Sequence, residues 1–439
     1  MGADTENRVT VIGGGFAGCE AARALSRRGV KVRLYEMKPA RFSPAHRSEG
    51  LCELVCSNSF KAERVDSASG LLKAEMEKLG SLTVAAAKRA RVPAGGALAV
   101  DRDEFSRIVT EELEKDENIE IIREEVGSIP EDGFVIVAAG PLASDALAED
   151  IRRRFGDTLS FYDAAAPVVT AESVDMSRAF TQSRYDRGGA DDYINCPMNK
   201  AEFEAFRDAL VGAEGASLHE IDVRRDVYEG CMPIEALAKR GADAIRYGPM
   251  KPVGLTDPAT GRRPWANLQL RKENSAGTLL NLVGFQTNLK FGEQKRVFSM
   301  IPALENAEFV RYGVMHRNTF LDSPRVLRAD FSVGERPELF FAGQITGTEG
   351  YMESAAGGII AGINAARRLG GRGTLVLPRE TMIGALQRYI SDATPKTFQP
   401  MGAAFGLLPP LDEKIRDKRE RYAALAERSL ELLALTDTQ

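Results

Sequence analysis

The chain has 439 residues, 44% hydrophobic and 28% charged, with a formal net charge of −5, which is ordinary for a globular protein of two or three domains. No apolar run reaches the roughly 18 residues of a membrane span, and the N-terminus leads straight into a predicted strand, which reads as no signal peptide. The acidic balance excludes a general attraction to nucleic acid and leaves local basic patches as the route to it.

The first predicted element is the apolar strand Val9–Ile12. It runs into Gly13-Gly14-Gly15-Phe16-Ala17-Gly18, then a helix over Cys19–Arg28, then a second strand, Val30–Leu34, ending at Tyr35-Glu36. Strand, glycine turn, helix, strand and acid in this order form a dinucleotide fingerprint. Gly13 allows the tight turn, Gly15 lets backbone approach a pyrophosphate, and Gly18 lets helix and strand pack closely. The pyrophosphate is expected on the helix N-terminus and a ribose hydroxyl on Glu36.

Residues 68–88 read as one helix, with Leu71, Leu72, Met76 and Leu79 at helical spacing. Phe134–Ala138 reads as a strand ending in Ala139-Gly140-Pro141. Residues 160–300 change texture: strand-like runs (Val168–Ala171, Leu268–Leu270, Leu279–Val283) mix with polar loops and a helix, Lys200–Val211. Cofactor grammar then returns, with a strand at Glu338–Ala342, a glycine-rich loop Gly343–Tyr351 and a Gly/Ala-rich helix Met352–Leu369 expected to approach the flavin closely. A second glycine motif at the far end of the chain favours FAD over a lone NAD domain. Leu411–Leu435 reads as a charged, solvated surface helix. The expected architecture is α/β: a Rossmann-like, glutathione-reductase-like FAD-binding domain in two parts, 1–160 and 306–439, with a mixed α/β domain inserted at 161–305.

Five cysteines, with no Cys-x-x-Cys pair, read as free thiols in a reducing cytoplasm. Cys56 lies in Leu54-Val-Cys-Ser-Asn-Ser59 and Cys231 in Tyr228-Glu-Gly-Cys-Met-Pro-Ile-Glu235. Both sit in polar, accessible loops that suit an activated thiol, and Glu229 and Glu235 are candidate proton carriers. Cys19 reads as core and Cys196 as structural. A Cys52–Cys56 redox pair is disfavoured, because flavin disulfide reductases use a different spacing. Only three histidines occur, none at ligand spacing with Cys or carboxylates, so no metal is expected. His316, flanked by donors in Tyr312–Thr319, suits a planar ligand or an anion. His46 lies in a polar loop near the expected flavin, and His219 reads as surface. Basic residues cluster at Arg23, Arg27, Arg28 and Lys31, at Lys88, Arg89 and Arg91, at Arg152–Arg154, and at Lys290, Lys295 and Arg296. Each cluster alone is an ordinary solvated face; together they could follow phosphates.

Seven segments in order closely resemble the folate- and FAD-dependent tRNA (uracil-5-)-methyltransferases, the TrmFO family. They are Val11–Glu20, Val55-Cys-Ser-Asn-Ser59, Arg91–Asp101, Tyr247–Leu255, Val283-Gly-Phe-Gln-Thr287, Arg311–Asn318 and Gly347-Thr-Glu-Gly-Tyr-Met-Glu-Ser354. The related GidA flavoproteins share the first and last of these but not the Cys231 segment. The resemblance implies a bacterial enzyme making ribothymidine at uridine 54 of the tRNA T-loop. Its implied cofactors are FAD, 5,10-methylenetetrahydrofolate as methylene donor, and NADPH or NADH as reductant. It places the two key cysteines at Cys56 and Cys231, with either one as nucleophile, and cofactor contacts at Gly13–Gly18, Glu36, Gly140, Gly343, Glu349 and Gly350. The folate pterin is expected between flavin and His316, with Arg317 and Tyr351 nearby. Arg91, Lys251, Lys290 and Arg317 are expected to form a cationic groove for the T-arm. A GidA-like wobble-uridine enzyme and a plain flavin oxidoreductase remain the alternatives.

Overall fold

The computed structural model describes residues 7–438 apart from 44, 157–158, 165, 187–188, 190–191, 217–231, 275, 314 and 394–397; for 159–164, 186 and 315–319 it describes the backbone. Its centre is a parallel sheet of five strands: β1 (Arg8–Ile12), β2 (Lys31–Tyr35), β3 (Ile119–Ile122), β4 (Phe134–Val137) and β5 (Leu339–Phe341). The strand order is β5-β4-β1-β2-β3. Val9 stands opposite Val32 on one side and Phe134 on the other, and Phe341 joins the edge opposite Val137. Continuous apolar runs such as Phe-Val-Ile-Val suit strands covered on both faces. β5 comes from some 200 residues after β4, so the far end of the chain completes the sheet.

Helix α1 (Phe16–Ser26) follows β1, and helix α2 (Tyr351–Leu369) lies against it. Small residues set that approach. A Cβ on Gly358 would stand 2.1 Å from the Ala17 carbonyl oxygen, and one on Gly362 2.6 Å from that of Ala21. Gly358 and Gly362 of α2 therefore serve helix–helix packing on α1, while Tyr351 and Ser354 of its first turn line the cleft in front of α1.

Two further helices depart from the sequence pattern. Residues 68–88 fold as Ala68–Lys78 and Leu82–Arg89, not as one helix. Ser81 starts the second by accepting from Val84 N–H, and the buried Glu20 carboxylate accepts from Leu82 and Thr83 N–H at 3.1 and 2.8 Å. A cap and an anion at one place define a helix start that periodicity alone runs through. The C-terminal helix begins at Lys418, capped by Asp417, and it buries Leu425, Ala426, Ser429 and Leu433. Its one buried face is that of an amphipathic surface helix, and the departure is its start, at Lys418 and not at Leu411.

Between β4 and β5 the chain forms a six-stranded antiparallel sheet. Its order is Phe180–Thr181, Tyr193–Met198, Ala266–Lys272, Leu279–Leu282, Val168–Thr170 and Phe309–Arg311. Leu268, Leu270, Leu280 and Leu282 share one core with Phe203 and Phe206 of helix Lys200–Gly212 and with Phe298. By the alternation of a strand, Gln269, Arg271 and Asn281 turn to the other face. Strands Leu159–Ala164 and Met315–Phe320 pair antiparallel where the chain enters and leaves this region.

Candidate active site

The turn after β1 needs glycine. Gly13 has φ +107°, and a Cβ there would meet the Ala138 carbonyl oxygen at 2.6 Å. Gly15 caps α1, and no atom lies within 4 Å of the Cβ it lacks, so its backbone is open to the space in front of the helix. First-turn N–H groups of a helix have no partner within it and attract anions. Glu36, at the end of β2, is buried and accepts from Gly14 N–H at 2.9 Å and Lys38 N–H at 3.0 Å. These groups line a cleft together with Phe16, Ala17, Gly140 and Gly343. Its open glycine backbone, its helix N-terminus and its buried acid fit a dinucleotide such as FAD. Lys38 and His46 also border it. Lys38 donates to Gly50 O at 2.7 Å and pairs with Glu53 at 3.2 Å. Burial, with Lys38 nearby, holds His46 below the usual imidazole range, so it is neutral.

Tyr351, the first residue of α2, separates this cleft from a second one of about 430 Å³ and lines both. Its ring stacks on Phe16 at 4.7 Å. On the second side its hydroxyl oxygen accepts from Cys56 N–H at 2.9 Å and lies 3.0 Å from Cys56 Sγ. Burial pushes the Tyr351 hydroxyl well above the usual phenol range, with Cys56 adding to the shift, so it stays protonated. The Cys56 loop is held by helix Arg102–Glu114, by strand Ala97–Val100 and by the six-stranded sheet. Arg102 donates to Cys56 O at 3.0 Å and to Leu54 O, and ion-pairs with Glu273. Asn58 donates to Val100 O at 3.0 Å and to Lys272 O at 3.1 Å, while Arg271 donates to Asn58 Oδ1 at 2.6 Å and Ser57 Oγ at 3.3 Å. Charge-assisted bonds of this kind fix a loop's position more firmly than neutral ones. Glu349 and Gly350 line the second cleft beside Cys56 and Tyr351.

Cys231, with Glu229 and His219, lies outside the described residues. Just beyond it, Glu235 is buried, accepts from Thr287 Oγ1 at 2.8 Å and Asn288 N–H at 2.7 Å, and has its pKa raised by burial. It ties its helix to the 287–288 loop. His316 and Arg317 are placed by backbone alone, opposite Asp163 and Tyr162. The other described cysteines are buried free thiols. Cys19 donates to Gly14 O at 3.3 Å, and burial pushes Cys196 up to about 12. Burial and the Cys19 thiol push Cys52 well above its usual range, so it offers no reactive partner to Cys56. Of the expected cationic groove, Arg91 pairs with Glu63 and Lys290 with Glu214 at the surface, and Lys251 is exposed. Among the described residues no group of His, Cys, Asp or Glu is arranged to hold a metal, and no helix is long and apolar enough to cross a membrane. Sequence reasoning did not single out Arg102, Arg271 or Asn281 as parts of this site. A signal for the last exists: Asn281 is the one polar residue in Leu279-Leu-Asn-Leu282.

Sheet order, glycine turn and cleft define a Rossmann-like α/β protein of the FAD-binding class. The family model described as "Glucose inhibited division protein A" matches residues 8–373. Among curated proteins, the Methylenetetrahydrofolate--tRNA-(uracil-5-)-methyltransferase TrmFO of Symbiobacterium thermophilum is 58% identical over 433 residues, 98% of this chain and 97% of that protein. Its namesake in Desulforamulus reducens is 57% identical over 430 residues, again 98% and 97% of the two chains. The chain belongs to the TrmFO family, within the wider GidA group. Among solved structures, Aquifex aeolicus GidA in its form I crystal has a TM-score of 0.69 at 20% identity, covering 98% of this chain and 77% of that one. That likeness bears on the fold.

Proposed function

We propose that the protein methylates C5 of uridine 54 in the T-loop of tRNA. The methylene comes from 5,10-methylenetetrahydrofolate, FAD occupies the first cleft, NADPH or NADH is the reductant, and the reaction takes place in the cytoplasm. The observation that carries this is Cys56 held against Tyr351 at the wall between the two clefts, in a chain 58% identical to a TrmFO protein. Bound FAD supplies the electrons that turn a transferred methylene into a methyl group.

The chain's own residues do the rest. Uracil C5 is a poor nucleophile until a thiolate adds at C6 and makes C5 an enolate carbon. Once the new C–C bond forms, a base removes the C5 proton as the folate nitrogen leaves the methylene carbon, and the thiolate departs from C6 when that carbon has been reduced to a methyl group. Cys231 is assigned the bond to C6 and Cys56 the proton transfer, with the reverse assignment as the alternative. Tyr351 and Arg102 hold the Cys56 backbone, and Tyr351 meets its thiol. His316 and Arg317 are assigned to the folate. The uridine leaves its stack to enter the second cleft, and exposed ion pairs such as Lys290–Glu214 exchange for phosphates at little cost.

The test is incubation with unmodified tRNA, methylenetetrahydrofolate, FAD and NADPH, followed by nucleoside analysis. 5-Methyluridine that forms with folate and not with S-adenosylmethionine is expected; its absence while flavin is bound sinks the proposal. Trapping on a 5-fluorouridine T-loop RNA should be lost in Cys231→Ala and kept in Cys56→Ala. The opposite pattern reverses the two roles, and trapping by both variants removes both from the nucleophile's role.

A further inference from the structure

One line of residues crosses the six-stranded sheet: Tyr193 opposite Arg271, Arg271 opposite Asn281, Asn281 opposite Val168, and Val168 opposite Arg311. Leucines fill the positions before and after Asn281 and belong to the core of the opposite face. Arg271 is occupied by Asn58 and Ser57. Asn281 is not so engaged. It is 4% exposed and lines the second cleft with Cys56 and Tyr351. Its amide nitrogen is buried with no hydrogen-bond partner among the described residues. A buried amide left without partners costs stability, and such a group beside a cleft is accounted for when a ligand completes it.

A side-chain amide donates with its nitrogen and accepts with its oxygen. Its planar complement is a ring N–H next to a ring carbonyl, which takes both bonds at once. Uracil carries this edge at N3–H and O4, and the pterin of a folate carries a similar lactam edge. The cleft that holds Asn281 also holds Cys56, whose thiol chemistry is directed at the pyrimidine. We propose that Asn281 reads the N3–H/O4 edge of the target uracil and makes the second cleft selective for uridine over cytidine. This rests on the function proposed above.

The experiment compares wild type, Asn281→Ala and Asn281→Asp on T-arm stem-loops carrying uridine or cytidine at the target position. Turnover, stem-loop affinity, folate KM and Tm are all read. Asn281→Ala should lower kcat/KM on the uridine RNA about tenfold to a hundredfold, the scale of one bidentate base contact, with folate KM within about twofold. Its Tm should not fall, because an unsatisfied polar group has been removed. The carboxyl introduced by Asn281→Asp, kept protonated by burial, accepts from cytosine N4–H and donates to N3. It should raise the cytidine-to-uridine preference at least about tenfold. An unchanged preference in both variants overturns the proposal. So does a rise in folate KM with the preference intact, which would give the edge to the pterin, and so does a loss of Tm that tracks a loss on every substrate. Stem-loop affinity decides the role of Asn281 even if wild type makes no 5-methyluridine, an outcome that would count against the proposed function itself.

Discussion

Cys56 shows how a thiol is placed by its neighbours. Its N–H and its sulfur both meet one oxygen, the Tyr351 hydroxyl, at 2.9 and 3.0 Å, and its carbonyl accepts from Arg102. Replacing Tyr351 with Phe keeps the ring stacked on Phe16 but removes that oxygen. Losing one such contact at a partly buried site is worth about 1–3 kcal/mol, and a displaced reacting group costs rate steeply. Tyr351→Phe should therefore lower kcat about tenfold to a hundredfold while flavin binding and KM for tRNA stay within about twofold. An unchanged kcat in steady-state assays would show that the hydroxyl does not position the thiol. That Cys56 lies in a polar loop was legible in the sequence because serines and an asparagine surround it. Its partner was less so: Tyr351 lies 295 positions away, and only β5 joining the sheet beside β4 brings α2 to the loop.

At the scale of elements, local chemistry read well and long-range packing read poorly. The turn Gly13–Gly18, the acid Glu36 and four of the five strands of the parallel sheet stand where the sequence put them, because each carries its own local pattern, whereas the short strand Ile119–Ile122 was not read. The break before Leu82 did not show, since it depends on Glu20 arriving from α1 to cap that helix. Nor did Asn281, whose significance lies in a cross-strand line rather than in its own flanks. The α1–α2 contact offers a direct test. A Cβ on Gly358 would fall 2.1 Å from the Ala17 carbonyl oxygen, which is backbone and cannot swing aside. Gly358→Ala must push the helices apart, and overpacking of this kind costs about 1–3 kcal/mol. Because Ala17 follows Gly15 and Phe16 directly, the glycine turn moves too. Calorimetry should show a lowered Tm, and flavin titration a weakened affinity, larger than for the same change at Gly373, where no atom lies within 4 Å. Equal effects at the two glycines would mean that the helix contact does not hold the turn.

Across the whole molecule, Glu75 ties together parts far apart in the chain. It sits on helix Ala68–Lys78 and accepts from Met382 N–H at 2.6 Å and Ile383 N–H at 2.8 Å, the start of helix Met382–Tyr389. It also accepts from Ser429 on the C-terminal helix. Burial outweighs these donors and raises its pKa from 4.5 to about 7. The folded protein then holds a proton on Glu75 at pH values where the unfolded chain has lost it. Stability linked to this group is full below about pH 4.5 and is lost as pH rises to about 7. A shift of this size corresponds to something on the order of 3 kcal/mol. Glu75→Gln removes the titration and keeps one of the two acceptor oxygens, turning an amide N–H toward the other backbone donor. Melting curves between pH 5 and 8, a range of about three units that spans the expected change, should show the variant's Tm falling less than that of wild type as pH rises. The wild type's advantage over the variant should be largest at the acid end and shrink toward the alkaline end. Parallel curves would show that the carboxyl is not buried with its proton and that the C-terminal helix docks without it.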